Sequence, residues 1–225
     1  LAPAIQQTLY RYYNPEGATV TTNSSGPAQY MRFDARISNN PLIQQFVPGL
    51  KEMSNISLAG NFNNQTGALN VTGTAPRLIY GGYDINNLNF DISPDATRNS
   101  LNYTINLNRF GSSQFQIVNT SVNGNIQNNT ISTDLQIKDT QNRQRYRIAG
   151  NLVAMQSNFE FSLLPDGLVL NYEPWSVGQN NAIQFGSRGV MARNFVLSQA
   201  NQQISINSQP MGLNNPMAIE FRNFQ

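Results

Sequence analysis

The stretch Leu101-Asn102-Tyr103-Thr104-Ile105-Asn106-Leu107-Asn108 alternates large apolar residues with small neutral polar ones almost without fault. Successive side chains of a strand leave on opposite faces, so this pattern builds a sheet with one apolar face and one amide-rich face. The alternation recurs at Leu88, Phe90 and Ile92, at Ile131, Leu135 and Ile137, and at Phe159, Phe161 and Leu163. It returns at Leu168 and Leu170, at Ile204 and Ile206, and at Met217, Ile219 and Phe221. The expected fold class is therefore all-β. What covers the apolar face decides the function: an opposing sheet would make an ordinary sandwich, whereas an uncovered trough would suit an equally apolar guest.

Three segments share a local plan: Leu58-Ala59-Gly60-Asn61-Phe62, Val122-Asn123-Gly124-Asn125-Ile126 and Ile148-Ala149-Gly150-Asn151-Leu152. Each leads into a polar turn (Asn63 to Gly67, Gln127 to Asn129, Gln156 to Asn158) and a returning alternating strand. Asn and Gly tolerate the positive φ of tight hairpin turns, so the unit reads as a repeated hairpin in an antiparallel meander. The three glycines are 64 and then 26 residues apart, which excludes a strict solenoid period. One segment breaks the rhythm. Asn40-Pro41 offers an N-cap and a first-turn proline, and Leu42, Phe46 and Leu50 follow four apart beside Ile43 and Val47. This predicts a short amphipathic helix over 40–53, stopped or kinked at Pro48-Gly49, that plugs the open end or edge of the sheet. Residues 1–39 are expected to form lead-in strands and a loop, and 54–225 the repeated-hairpin section.

Composition narrows the chemistry. Charged residues make up 12% of the chain, while Asn and Gln number 33 and 20, so the surface is polar and nearly neutral. A net charge of +2 is too small for the basic stripe of a phosphate-backbone binder, and no nucleic-acid partner is expected. There is no Cys and no His, which removes thiol nucleophiles, disulfides, Cys or His metal sites and imidazole bases. No cofactor is expected. The opening Leu1-Ala2-Pro3-Ala4 reads as that of a mature protein or a fragment, and no stretch approaches the length of an apolar membrane span.

No carboxylate pair is spaced for general acid and base work, so an enzyme is not expected; Glu160, between Phe159 and Phe161, is expected to face water. Arg143, Arg145 and Arg147 share one strand face, with a charge-guarded solvated edge favoured over a lipid headgroup contact. Seven Asn-x-Ser/Thr triplets, beginning at Asn23, Asn55, Asn64, Asn70, Asn102, Asn119 and Asn128, are expected by chance in so Asn-rich a chain. Trp175 reads as an aromatic sealing a strand end. Tyr10, Tyr12, Tyr13, Tyr80 and Tyr83 would matter for a carbohydrate-binding or carbohydrate-cleaving β-fold only if they formed a flat exposed platform.

Several landmarks occur in order: Asn40 to Leu50, Gly60-Asn61-Phe62 with Thr66 to Asn70, and Arg147-Ile148-Ala149-Gly150. Leu170-Asn171-Tyr172 to Trp175 with Ile183 to Gly186 follows, then Asn214-Asn215-Pro216 before an alternating strand. In this order the chain resembles TamB-like proteins of the AsmA-like superfamily, from about Tyr10 to its end. The resemblance implies a periplasmic section of a much longer protein anchored in the inner membrane, its sheet folded lengthwise into a β-taco. It implies passage of phospholipid acyl chains between inner and outer membranes, and a TamA-like outer-membrane barrel met by regions outside this chain. The residues expected to line such a groove are Leu88, Phe90, Ile92, Leu101, Tyr103, Ile105, Leu107, Ile131, Leu135, Ile137, Phe159, Phe161, Leu163, Leu168 and Leu170. A closed sandwich core would use the same residues. Two rival expectations are a scaffold that holds unfolded outer-membrane strands on a sheet edge and, behind it, the carbohydrate-active fold.

Overall fold

The computed structural model describes residues 2–15, 27–155 and 157–224. Leu1, the triplet at Asn23 and the turn residue Gln156 lie outside the described residues. Helix α1 (Ala2–Tyr10) comes first, followed by β1 (Tyr30–Ile37), α2 (Pro41–Phe46), β2 (Leu50–Met53), β3 (Ile56–Asn63) and β4 (Ala68–Tyr80). The meander continues through β5 (Tyr83–Asp95), β6 (Ser100–Gly111), β7 (Gln116–Gln127), β8 (Thr130–Lys138), β9 (Gln144–Ala154) and β10 (Asn158–Leu170). Shorter strands complete it: β11 (Glu173–Val177), β12 (Ala182–Gly186), β13 (Gly189–Arg193), β14 (Phe195–Gln199), β15 (Gln202–Ser208) and β16 (Met217–Arg222).

The chain is all-β: 16 strands form one antiparallel sheet that does not close, in the order β1-β3-β4-β5-β6-β7-β8-β9-β10-β11-β14-β15-β16. Strand β2 adds to β4, while β12 adds to β10 and carries β13. The three repeated segments are the outgoing strands of the hairpins β3–β4, β7–β8 and β9–β10. At the β7–β8 turn Asn128 and Asn129 take φ of 49° and 61°, the left-handed backbone that a two-residue hairpin needs and that Asn adopts at little cost.

Two expectations fail. Asn40 does cap α2, its side-chain oxygen accepting from the Leu42 amide at 2.9 Å, but the helix ends at Phe46, and Leu50–Met53 is strand β2 paired with β4. Pro48 and Gly49 stop the helix and leave Leu50 and Met53 to be buried by the sheet. Nor does α2 plug anything: Phe46 is 84% exposed. The plug is α1, within the segment expected to hold lead-in strands. Its Ala4 and Ile5, with the following Tyr12, pack on Phe62, Leu69, Leu101 and Ile126 at the hairpin end of the sheet. The Asn129 amide donates to the Tyr12 carbonyl at 3.0 Å and fixes the helix to the β7–β8 turn.

Past β9 the sheet changes character. One edge of β10 serves two partners, β12 along Asn158 to Phe161 and β11 along Leu168 to Leu170, with Leu164 to Gly167 bulging between them. The two branches fold back until β13 lies against β15, where the Ala192 amide donates to the Ser208 hydroxyl at 3.1 Å. Leu163, Leu168, Val177 and Phe195 fill the space enclosed.

Candidate functional site

Residues directly opposite in an antiparallel ladder share a face, so the register assigns faces without ambiguity. One row reads Phe33, Gly60, Val71, Ile92, Tyr103, Gly124, Thr133, Gly150, Leu163 from β1 to β10. The next reads Ala35, Leu58, Gly73, Phe90, Ile105, Val122, Leu135, Ile148, Leu168. All fifteen residues expected on the apolar face fall on this one side of the sheet.

Several glycines on this face have a packing reason. A Cβ on Gly60 would meet the Phe33 ring, one on Gly73 the Phe90 ring, and one on Gly124 the Tyr103 ring and the Ser132 carbonyl. Each aromatic takes up the space that a side chain on the neighbouring glycine would need, so ring and glycine fill one another on this face. Tyr103 brings a hydroxyl onto this apolar floor but satisfies it locally, donating to the Ser132 carbonyl at 2.9 Å beside the Thr133 hydroxyl at 2.5 Å.

Coverage of this face is uneven. At the hairpin end α1 seals it, and Leu101 is 4% exposed. In the middle it is bare: Ile105 is 38% and Ile148 39% exposed, and among the described residues no second layer lies over them. Leu88, Phe90, Ile92, Tyr103, Leu107, Ile131, Leu135 and Ile137 are half-buried by their neighbours. Phe159 stacks on Phe185 at 5.6 Å. Six residues depart from the expected open wall: Leu101 is buried beneath α1 with Ile92 packed beside it, and four more are enclosed at β10. Leu163 and Leu168 are buried in the enclosed cluster, and Phe161 and Leu170 pack against it, because the split of β10 folds the sheet over them.

The opposite face carries amides and ion pairs. Asn70 donates to Asn61 across β3–β4 at 3.1 Å. Glu160 accepts from Gln184 at 2.7 Å and lies 3.6 Å from Arg193, so it is paired rather than simply hydrated. The arginines are not a solvated edge, because β9 is laddered on both sides. Arg147 holds Asp134 and Arg143 holds Asp139, each at 2.8 Å. The Asp139 carboxyl sits below its ordinary range: burial works to raise it, but hydrogen bonds from Arg143, Gln141 and the Tyr172 hydroxyl prevail.

No family model, curated protein or solved structure matches the chain. The likeness to TamB-like proteins therefore rests on the sequence landmarks, and the site is read from its own geometry.

The tyrosines do not gather in one place. Tyr12 is 6% exposed beneath α1, with burial raising its hydroxyl pKa, whereas Tyr80 and Tyr83 face one another across the β4–β5 hairpin. Trp175 packs on the enclosed cluster and stacks on Phe224 at 6.3 Å. Sequence reasoning missed α1, although Ile5, Thr8, Leu9 and Tyr12 carry helical spacing. It also missed Asn181, for which no pattern could have spoken. Its amide accepts from the Leu163 N–H and donates to the Leu163 carbonyl, both at 2.8 Å, filling the gap in the ladder between β11 and β12.

Proposed function

We propose that this chain is a groove section of a TamB-like periplasmic protein that conducts phospholipid between membranes. The observation that carries the reading is the uncovered middle of the apolar face, with Ile105 and Ile148 more than a third exposed and no opposing layer among the described residues. Fully burying such a side chain is worth about 1.5–3 kcal/mol, so folding by itself favours covering it. A contiguous apolar surface left bare on a folded domain marks a surface that meets an apolar partner. Acyl chains fit that surface. A tail leaving a bilayer for the face trades one hydrocarbon environment for another, and the hydroxyl that Tyr103 brings there is already paired.

Mass spectrometry of organic extracts from the purified chain tests this. Co-purifying phospholipid is the expected result, with Ile105→Asp stripping it while the protein stays folded. A lipid-free preparation that also fails to take up added lipid would overturn the reading. Phe161→Asp is a different experiment, since it places charge against the enclosed cluster and is expected to unfold the protein.

A second reading, a scaffold for extended outer-membrane strands, draws on β16. This strand has one laddered side, and Ile219 and Phe221 are 56% and 65% exposed. Strand addition there would be driven by main-chain hydrogen bonds. It predicts binding of extended peptides that survives Ile105→Asp.

A further inference from the structure

At the end of the apolar face away from α1, the ladder between β8 and β9 carries one extra residue. Ile137 pairs with Tyr146 but Lys138 pairs with Gln144, so Arg145 is the bulged residue. Bulges re-aim side chains and are frequent beside functional sites. Here the bulge takes Arg145 out of the ion-pair pattern of its neighbours. Arg143 and Arg147 each hold a carboxylate, whereas Arg145 has none; its guanidinium lies 5.3 Å from the Tyr146 ring centroid and 6.0 Å from that of Tyr172. Lys138 likewise has no ion pair among the described residues.

Both cations line a cavity of about 250 Å³ whose other walls include Ile117, Val118, Ile137 and Tyr146. Asp139 also borders it, but that carboxylate is already taken by Arg143. The segment from Lys138 to Arg147 holds four cations and one carboxylate in a chain whose total charge is +2, so the excess is local. Two orphaned polar atoms stand at neighbouring ladder positions, outside the lining of the cavity. Among the described residues, buried side-chain polar atoms without a partner include Thr120 Oγ1 and Gln144 Nε2. Thr120 stands opposite Ile137 and Gln144 opposite Lys138 in the ladders. Orphaned buried polar groups are costly and few in native proteins.

Lys138 follows Ile137 and so leaves β8 on the opposite face, but at this strand end both border the one cavity, and a cavity with two cations free of carboxylates and walls of Ile117, Val118 and Ile137 is complementary to an amphiphile with an anionic head. We propose that this corner holds the phosphate of a lipid headgroup between Lys138 and Arg145, while the acyl tail runs from the cavity onto the apolar face past Ile137 and Leu135. The assignment rests on the reading of that face as an acyl-chain surface, and it adds a polar register point to an otherwise featureless slide. Arg145, with its planar fork and stacked ring, would orient the phosphate, and Lys138 would act as a point charge.

Calorimetric titration of the full chain with octyl phosphate, octyl glucoside and inorganic phosphate tests it. Octyl phosphate is expected to bind more tightly than octyl glucoside. Lys138→Gln with Arg145→Gln is expected to cut octyl phosphate affinity about tenfold or more, the size of a lost charge-assisted contact, and to leave octyl glucoside unchanged. Arg145→Lys keeps the charge but not the planar fork, and is expected to retain more of the affinity than Arg145→Gln, a ranking that a merely damaged fold would not give. Equal affinity for both amphiphiles, or an octyl phosphate affinity indifferent to the double variant, would overturn the headgroup site while leaving the apolar face standing. Failure of both amphiphiles to bind would overturn the acyl-chain reading beneath it. Inorganic phosphate binding as tightly as octyl phosphate would make the site one for a free anion and overturn the lipid assignment.

Discussion

The stretch from β4 to β9 and the stretch from β10 to β15 share the same alternating chemistry and end differently. The first is a run of strands 9 to 13 residues long, in register but for the one-residue bulge at Arg145, and its apolar face stays bare in the middle. In the second, β11 to β14 are only five residues each, β10 splits its edge between two partners, and the same face is folded shut around Leu163, Leu168, Val177 and Phe195. Alternation therefore decides which side of a strand is apolar, while strand length and ladder breaks decide whether that side is covered. A long unbroken ladder is hard to fold sharply, whereas short strands hinged at a bulge turn through the angle that encloses a core.

If that division is real, equal truncations on the two sides should have unequal costs. Leu168→Ala in the enclosed cluster should lower stability by about 2–5 kcal/mol, the usual cost of a cavity in a packed core, measured by urea denaturation. A loss near 1 kcal/mol would mean that the cluster is as open as the face beside it. The next effect belongs to the joint that makes the enclosure possible. Asn181 is 5% exposed and supplies both hydrogen bonds to Leu163 that a strand residue would have made. Asn181→Ala should cost about 1–3 kcal/mol, because a buried N–H and C=O are left unpaired. Amide exchange at Leu163 should accelerate in step, and unchanged protection there would show that water or a neighbour repairs the gap. On the open side Ile105→Ser should cost about 1 kcal/mol or less, since much of that side chain already meets solvent, while retained lipid should fall. A loss as large as that at Leu168 would reveal a covering layer.

The same division marks what could be read from the residues. The apolar face was legible because period-two alternation maps directly onto a pleated strand, and the register then placed all fifteen wall residues on one side. The hairpins were legible from Gly, Asn and Asn-rich turns. The folding-over at β10 was not, because Leu164-Pro165-Asp166-Gly167 looks like any turn, and its effect depends on which strands later compete for one edge. Arg145 was read with its neighbours as one charged face, since a one-residue bulge leaves no mark in the sequence. The helix over 40–53 was half right: capping and the apolar spacing start α2, but Leu50 and Met53 gain more from pairing and burial against β4 than from another helical turn.

The seam between the two regions carries the smallest predicted effect. Arg147 on β9 donates through Nε and Nη2 to the two carboxylate oxygens of Asp134 on β8, at 3.1 and 2.8 Å. Its Nη1 reaches the main-chain oxygen of Asp166, in the β10 bulge, at 3.3 Å. The hydrogen bond from Arg147 holds the Asp134 carboxyl below its usual range, against burial that works to raise it and with help from Gln136. A folded value below the unfolded one, about 3.9, means that the stabilisation is complete above that pH and is lost as pH falls through the folded value. Both side chains are about a quarter exposed, at 27% and 29%, so solvent screening limits the contribution to about 0.5 kcal/mol. Asp134→Asn should therefore trail the wild type in urea at neutral pH and draw level with it only once the pH has fallen below the folded value of Asp134, with faster amide exchange across Leu164 to Gly167 in the wild type at the acid end. A gap of constant size from neutral pH to the acid end would mean that the backbone alone holds the seam, and that the closed region would fold over without its charged clamp.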